Sequence, residues 1–162
     1  MVDPTIAIIG AGALSTRRIY PYIDAAGAVL VGVCNLERDK AERNARRFGG
    51  CVYDDFSEML NRESPDGVII CVGTEGHAEL APVVLQMGYP VYAEKSPAPS
   101  SAAALEVGRV AKETGLLCTT AFKKGYTVAN NRARDWIEGF NPGDLYSLSI
   151  DYASAHYANE SP

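Results

Sequence analysis

No apolar run in the chain approaches the roughly 20 residues that a membrane-spanning helix needs. The amino terminus MVDPTIAIIG has neither a basic leader nor a cleavage site, so no export or anchoring signal is expected. Histidine is scarce, at two in 162 residues, and the four cysteines (Cys34, Cys51, Cys71, Cys118) form no CxxC pair. Neither a zinc cluster nor a redox dithiol has its ligands, and no metal is expected. Cys34 and Cys71 sit inside apolar runs, where reduced cysteine acts as a small core residue, and this usage fits a cytoplasmic location. Positive charge is also short: 15 Lys and Arg against 20 Asp and Glu leave a net charge of −5. That balance gives no pull toward phosphate backbones or anionic lipid, which argues against a nucleic-acid or membrane partner and for a small-molecule one.

What the chain does have is enough apolar material, 47% of 162 residues, for one full core and hardly two. Short β-branched runs alternate with helical patterns, the mark of βαβ units and a parallel sheet. Strands are predicted over 5–10, 29–34, 51–53, 67–72, 90–95 and 116–122, and helices over 13–25, 38–48, 56–61, 77–87, 100–114 and 127–138. Most of the strands are continuously apolar, as expected when both faces are covered. The fold class is therefore α/β, a doubly wound parallel sheet. Pro21 should end or kink the first helix. In the second, Ala41, Ala45 and Phe48 form the inward stripe, and Arg43, Arg46 and Arg47 read as a solvated face. Ser100 and Ser101 can cap the fifth.

After NPGD (141–144) the pattern changes. In LYSLSIDY, Tyr146, Leu148, Ile150 and Tyr152 alternate with Ser147, Ser149 and Asp151, the period of a strand wet on one face. Residues 1–142 are expected to form a dinucleotide-binding domain. Residues 143–162 are expected to open an incomplete C-terminal α/β domain for substrate and oligomer contacts. The unpaired strand suggests a homo-oligomer formed by strand addition.

The stretch TIAIIGAGALS ends an apolar strand in Gly-x-Gly and enters a helix. Such a turn offers main-chain N–H groups at a positive dipole end, where a pyrophosphate can approach with no side chain in the way. Gly10 permits the tight turn and Gly12 the close approach, Ala13 and Leu14 follow as the first helical amides, and Ser15 fills the small-residue position. Plain turns and methyltransferase folds share this motif, but a strand before it and a helix after it favour a dinucleotide. Twenty residues beyond Ser15, where an acidic residue usually takes the ribose hydroxyls, stands Asn35. It can bond a ribose without repelling a 2′-phosphate, Arg38 could attract one and Glu37 would oppose it. NAD against NADP stays open. Polar groups also gather where the other strands end: Gly73, Thr74 and His77 after the fourth, Glu94 and Lys95 after the fifth, and Phe122, Lys123, Lys124 and Tyr126 after the sixth. His77 is expected to cap or pack at its helix start on this cofactor-binding edge. Lys95 is the catalytic candidate, orienting a substrate hydroxyl and assisting its proton transfer. The plainer reading is a Glu94–Lys95 pair closing a strand.

The ordered set GAGALS, VCN, ICVGTEGHAELA, YAEKSPA and TAFKKGY resembles the Gfo/Idh/MocA family of NAD(P)-dependent oxidoreductases. The resemblance spans residues 5 to about 155 and implies a Rossmann-type domain. It further implies that Lys95 contacts nicotinamide ribose and substrate, and that the loops at 74–77 and 122–126 line the same pocket. It implies hydride exchange between NAD(P) and a hydroxyl carbon of a sugar, cyclitol or related molecule, with an aspartate and a histidine supplied by a second domain. This chain on its own is then expected to bind dinucleotide without turning substrate over. Two departures stand out: EKSP replaces the usual EKP, and Asn35 replaces the carboxylate. The alternative function is a non-catalytic NAD(P)-binding sensor or regulatory module. A methyltransferase is disfavoured by AEKSP and the sixth strand.

Overall fold

The computed structural model describes residues 2–141, 143, 147, 149 and 151. The chain divides into two compact units, Met1–Phe122 and Lys123–Pro162. The first holds a six-stranded sheet in the order β3-β2-β1-β4-β5-β6. Its strands are β1 Thr5–Ile9, β2 Val29–Cys34, β3 Cys51–Tyr53, β4 Gly67–Ile70, β5 Val91–Ala93 and β6 Cys118–Thr120. All pairings are parallel, with Ile9 opposite both Cys34 and Ile70. The helices are α1 Ala13–Arg18, α2 Arg38–Phe48, α3 Phe56–Glu63, α4 Thr74–Gln86 and α5 Ser101–Thr114.

Alternate residues of one strand feed two separate cores, as the two-residue period of a strand requires. Ala7 and Ile9 join Met59, Leu60, Val84, Leu85 and Val110 on one face. Ile8 joins Ile19, Tyr20, Ile23, Val33 and Ala41 on the other. This two-sided burial is why the strand sequences read as continuous apolar runs.

Several boundaries differ from the sequence expectation. Helix α1 stops at Arg18 and gives way to 3-10 turns at Tyr20–Tyr22 and Asp24–Ala26, with Pro21 at the head of the first; a proline ring is compatible with a helix start but not its interior. Helix α4 begins at Thr74 with Gly73 as its N-cap, a turn earlier than expected. Gly76 lies inside that helix, and a Cβ there would meet the Val72 side chain at 2.8 Å, so this glycine serves close packing and not a loop. The outer strands β5 and β6 are shorter than read from the sequence, although Ala121 N–H still donates to Ala93 O at 2.9 Å beyond their ends. Ser100 caps α5, its side chain accepting from Ala103 N–H at 3.2 Å.

In the second unit a 3-10 turn at Lys123–Tyr126 precedes α6, Val128–Glu138, capped by Thr127. Trp136 and Phe140 meet edge to face with centroids 5.7 Å apart. The expected strand over 144–152 lies outside the described residues. Helix α6 falls in this second unit.

Candidate functional site

At the carboxyl ends of β1, β2, β4 and β5 opens a cleft of about 860 Å³. Its first wall is the turn from β1 into α1, residues 10–15. Gly10 has φ +113°, and a Cβ on it would lie 2.0 Å from the Cys71 carbonyl oxygen, so only glycine fits. The turn is tied down from three sides. Gly10 N–H donates to Cys34 O at 2.8 Å, the Tyr20 hydroxyl donates to Gly10 O at 3.1 Å, and Ala11 N–H donates to Asn35 Oδ1 at 2.9 Å. Tyr20 is 2% exposed, and burial pushes its hydroxyl well above the ordinary tyrosine value, so it stays a donor. Ser15 is wholly buried and returns its hydroxyl to Gly12 O at 3.0 Å.

Gly12, the N-cap of α1, differs from Gly10. Its φ is −74°, and a Cβ on it would have nothing within 4 Å. Gly12, Ala13 and Leu14 line the cleft, and their N–H groups fall at the start of α1, where a helix has no intrahelical acceptor for them. No acidic side chain stands in the first turn of α1.

Asn35 is half-buried at the carboxyl end of β2 and uses both halves of its amide on the main chain. Its oxygen takes Ala11 N–H, and its nitrogen donates to Glu37 O at 3.0 Å. Arg38 does not line the cleft: it bonds Glu42 at 3.1 Å and Asp54 at 2.5 Å. Lys40 lines it and pairs with Glu37. Leu36, Asp54, Asp55 and Phe56 complete that end. The segment 54–56 went unnoticed in the sequence, although it follows β3 just as Asn35 follows β2, and the rule that ligands gather beyond strand carboxyl ends points to it.

The opposite wall comes from the ends of β4 and β5. Cys71, Val72, Gly73, Gly76, Glu94 and Lys95 line it. Burial first, and then Glu94, push the Cys71 thiol up; bonds from Ser15 and the charge of Lys95 pull the other way. Glu94 Oε2 accepts Lys95 N–H at 3.2 Å. Lys95 is exposed, and its Nζ makes no hydrogen bond or ion pair among the described residues. In place of the alternative reading, a Glu94–Lys95 ion pair, the structure has a carboxylate-to-amide bond.

Of the residues expected here, Gly10, Gly12, Ala13, Leu14, Asn35, Gly73, Glu94 and Lys95 meet around one cleft. Thr74 and His77 do not line it, although Gly76, Glu79 and Leu80 of the same helix do. Phe122 does not line it either, and Lys123–Tyr126 belong to the second unit. Among the described residues no group of three or more His, Cys, Asp or Glu is placed to hold a metal ion. No described helix is long and apolar enough to cross a membrane.

Residues 5–122 match the model of an oxidoreductase family with an NAD-binding Rossmann fold. The chain is 32% identical over 133 residues to 4-carboxy-2-hydroxymuconate-6-semialdehyde dehydrogenase of Sphingobium sp. strain SYK-6, covering 82% of this chain and 41% of the relative. It is 28% identical over 143 residues to the D-glucoside 3-dehydrogenase of Escherichia coli, covering 87% and 41%. Among solved structures, a 3-ketoreductase from Actinomadura kijaniata in complex with NADP and TDP-benzene superposes with a TM-score of 0.76 at 26% identity, over 84% of this chain and 42% of that one. The chain therefore spans about two fifths of the length of the relatives it matches.

Proposed function

The chain belongs to the Gfo/Idh/MocA oxidoreductase family, and on that premise we propose that its cleft holds the NAD or NADP of a dehydrogenase or reductase. The reaction exchanges hydride with a hydroxyl or keto carbon of a sugar, cyclitol or related small molecule. The observation that carries this reading is Gly12. Its backbone angles suit any residue and a side chain would have open space, so the fold itself has no need of glycine there. A ligand lying close over the main chain does.

In this reading the amides of Gly12, Ala13 and Leu14 bind the pyrophosphate, helped by the positive end of α1. The wall of Cys71, Val72 and Gly73 keeps water from the ring end. When bound, the nicotinamide gives up or takes the hydride. Lys95 Nζ, unpaired among the described residues, orients the substrate oxygen and holds or moves its proton. The named relatives are two dehydrogenases and a reductase, one of them a D-glucoside 3-dehydrogenase, which supports the enzymatic reading over a regulatory module. Four free thiols and a net charge of −5 support a cytoplasmic setting without nucleic acid. A homo-oligomer belongs to the same proposal.

Calorimetric titration with NAD, NADH, NADP and NADPH tests it, with Gly12→Asp as the control. One-to-one binding of at least one form is expected, with Gly12→Asp still folded but binding at least a hundredfold weaker, the carboxylate meeting the phosphates at short range (about 2.7 kcal/mol or more by the usual conversion). Absence of binding by all four, or binding indifferent to Gly12→Asp, overturns it.

A further inference from the structure

We propose that His77 is a positioning residue. Its neutral ring, protonated on Nδ1, ties the peptide of Val72 to that of Ser96 and so sets where Lys95 stands against the β4–α4 turn. The inference rests on the reading of Lys95 given above.

His77 sits in the first turns of α4 and is 1% exposed. Val72 N–H lies 3.2 Å from Nε2, and the Ser96 carbonyl oxygen lies 2.8 Å from Nδ1. A main-chain N–H can only donate and a carbonyl can only accept. Nε2 therefore carries the lone pair and Nδ1 the proton, which fixes the tautomer from its partners alone. Both contacts are to main chain, so the ring joins two backbones and depends on no other side chain.

Those two backbones flank the cleft. Val72 lines it after β4, and Ser96 directly follows Lys95, which lines it after β5. The sheet itself ends just short of this point, Glu94 N–H donating to Ile70 O at 2.9 Å. Beyond that bond, Lys95 N–H turns to the neighbouring Glu94 side chain. Among the described residues, the bond from His77 to Ser96 is then the only hydrogen bond holding the Lys95–Ser96 stretch to another part of the chain. Without the imidazole, the half-buried Val72 N–H and the Ser96 carbonyl both lose their partner. The backbone carrying Lys95 is then free to move relative to the glycine turn opposite.

The bridge can be read first without any ligand. Nitrogen-15 NMR of the free chain at neutral pH is expected to show the His77 ring protonated on Nδ1 and bare on Nε2. The opposite tautomer, or a charged ring, overturns the proposal. Its consequence is then read as NADH affinity, well below the melting temperature, in His77→Phe and His77→Gln. Phenylalanine fills the volume without polar atoms and is expected to weaken NADH about threefold, the loss expected when the Lys95 charge is removed outright. Glutamine offers a donor and an acceptor spaced like the ring nitrogens and is expected to recover most of that loss. Adding Lys95→Met to His77→Phe should cost less than Lys95→Met costs alone, because the lysine is already misplaced. A purely structural histidine would lower the melting temperature of both variants, leave NADH affinity at the wild-type value and give additive losses, and that pattern overturns the proposal. If His77→Phe does not fold, the tautomer and His77→Gln still decide it, with full loss of affinity in His77→Gln counting against. Failure of the wild-type chain to bind any dinucleotide sinks the proposed function instead, and leaves the NMR test of the bridge standing.

Discussion

Between β1 and α1 the cleft is faced by main chain, and the residues that matter there matter for what they lack. Gly10 has no Cβ to strike Cys71 O, Gly12 none to shade the amides, and Ser15 is small enough to be wholly buried. Across from it, beyond β4 and β5, the cleft is faced by side chains that reach out: Glu94 to an amide, Lys95 into the opening, His77 behind them to two peptides. The first wall is set by steric exclusion and is rigid wherever the strand ladder is. The second is set by individual hydrogen bonds between segments distant in sequence. A lesion in the first should therefore register as lost stability together with lost binding, whereas one in the second should separate the two.

The harshest test of that contrast is Gly10→Ala. A methyl group 2.0 Å from a carbonyl oxygen, on a residue at φ +113°, forces β1 and β4 to part or the turn to rebuild. A loss of about 3 kcal/mol or more is expected, with dinucleotide binding abolished. Denaturant unfolding and calorimetry measure the two together; a stable variant that still binds would break the exclusion argument. The same wall can be strained without mutation. Burial, then Asp55 and Asp54, raise the thiol of Cys34, which accepts the Gly10 N–H on its carbonyl, from 9.0 to about 11. A thiol whose folded value lies above its unfolded value stabilises the fold fully below pH 9. That contribution is lost as pH rises through about 11. A rise of that size corresponds to at most about 2.7 kcal/mol, less where solvent screens the thiol. Urea unfolding at pH 8, 9.5 and 11 should show the decline, and Cys34→Ala should make it shallower, the raised Cys71 and Tyr20 groups supplying the rest.

The contrast also explains what the sequence could disclose. Exclusion leaves a local mark, because the glycine itself stands at the end of its strand even where the group that forces it, Cys71 O for Gly10, is distant in sequence; the turn at 10–15 could be read in place. Hydrogen bonds between distant segments leave none. That Asn35 would spend its oxygen on Ala11 depends on β1–β2 pairing, with Ile9 opposite Cys34. That Arg38 would take Asp54, 16 residues on, and not a phosphate, cannot be told from spacing. His77 was expected to pack at its helix start, but its partner Ser96 lies 19 residues away, across a strand. Glycines such as Gly73 and Gly76 suggest a loop from sequence alone, whereas one caps helix α4 and the other makes a contact inside it.

Asn35 lies on the border between the two kinds of wall and sharpens the comparison with a smaller effect. Asn35→Leu leaves the Ala11 N–H and the Glu37 carbonyl without partners and should cost about 1–2 kcal/mol, affecting every dinucleotide alike. Asn35→Asp keeps the acceptor for Ala11 but sets a carboxylate oxygen toward the Glu37 carbonyl and toward any 2′-phosphate. If the ribose lies at this residue, NADP and NADPH should weaken about tenfold more than NAD and NADH. Equal losses would make the amide a strut for the glycine turn and nothing more.

Least visible to the fold should be Lys95→Met. The side chain is exposed, its Nζ has no partner among the described residues, and methionine keeps most of its apolar stem, so stability should change by no more than about 0.5 kcal/mol. NADH affinity should nonetheless fall, by about threefold, through the lost charge beside the cofactor's ring end. The pairing of those two results is what matters. A lysine at the end of a buried strand, with its own amide bonded to the preceding glutamate and its ammonium unpaired, has no folding reason to be a lysine. Unchanged unfolding with weakened binding assigns its charge to the ligand. A melting temperature that falls in step with affinity would place Lys95 with the structural residues of the first wall and erase the distinction between the two sides of the cleft.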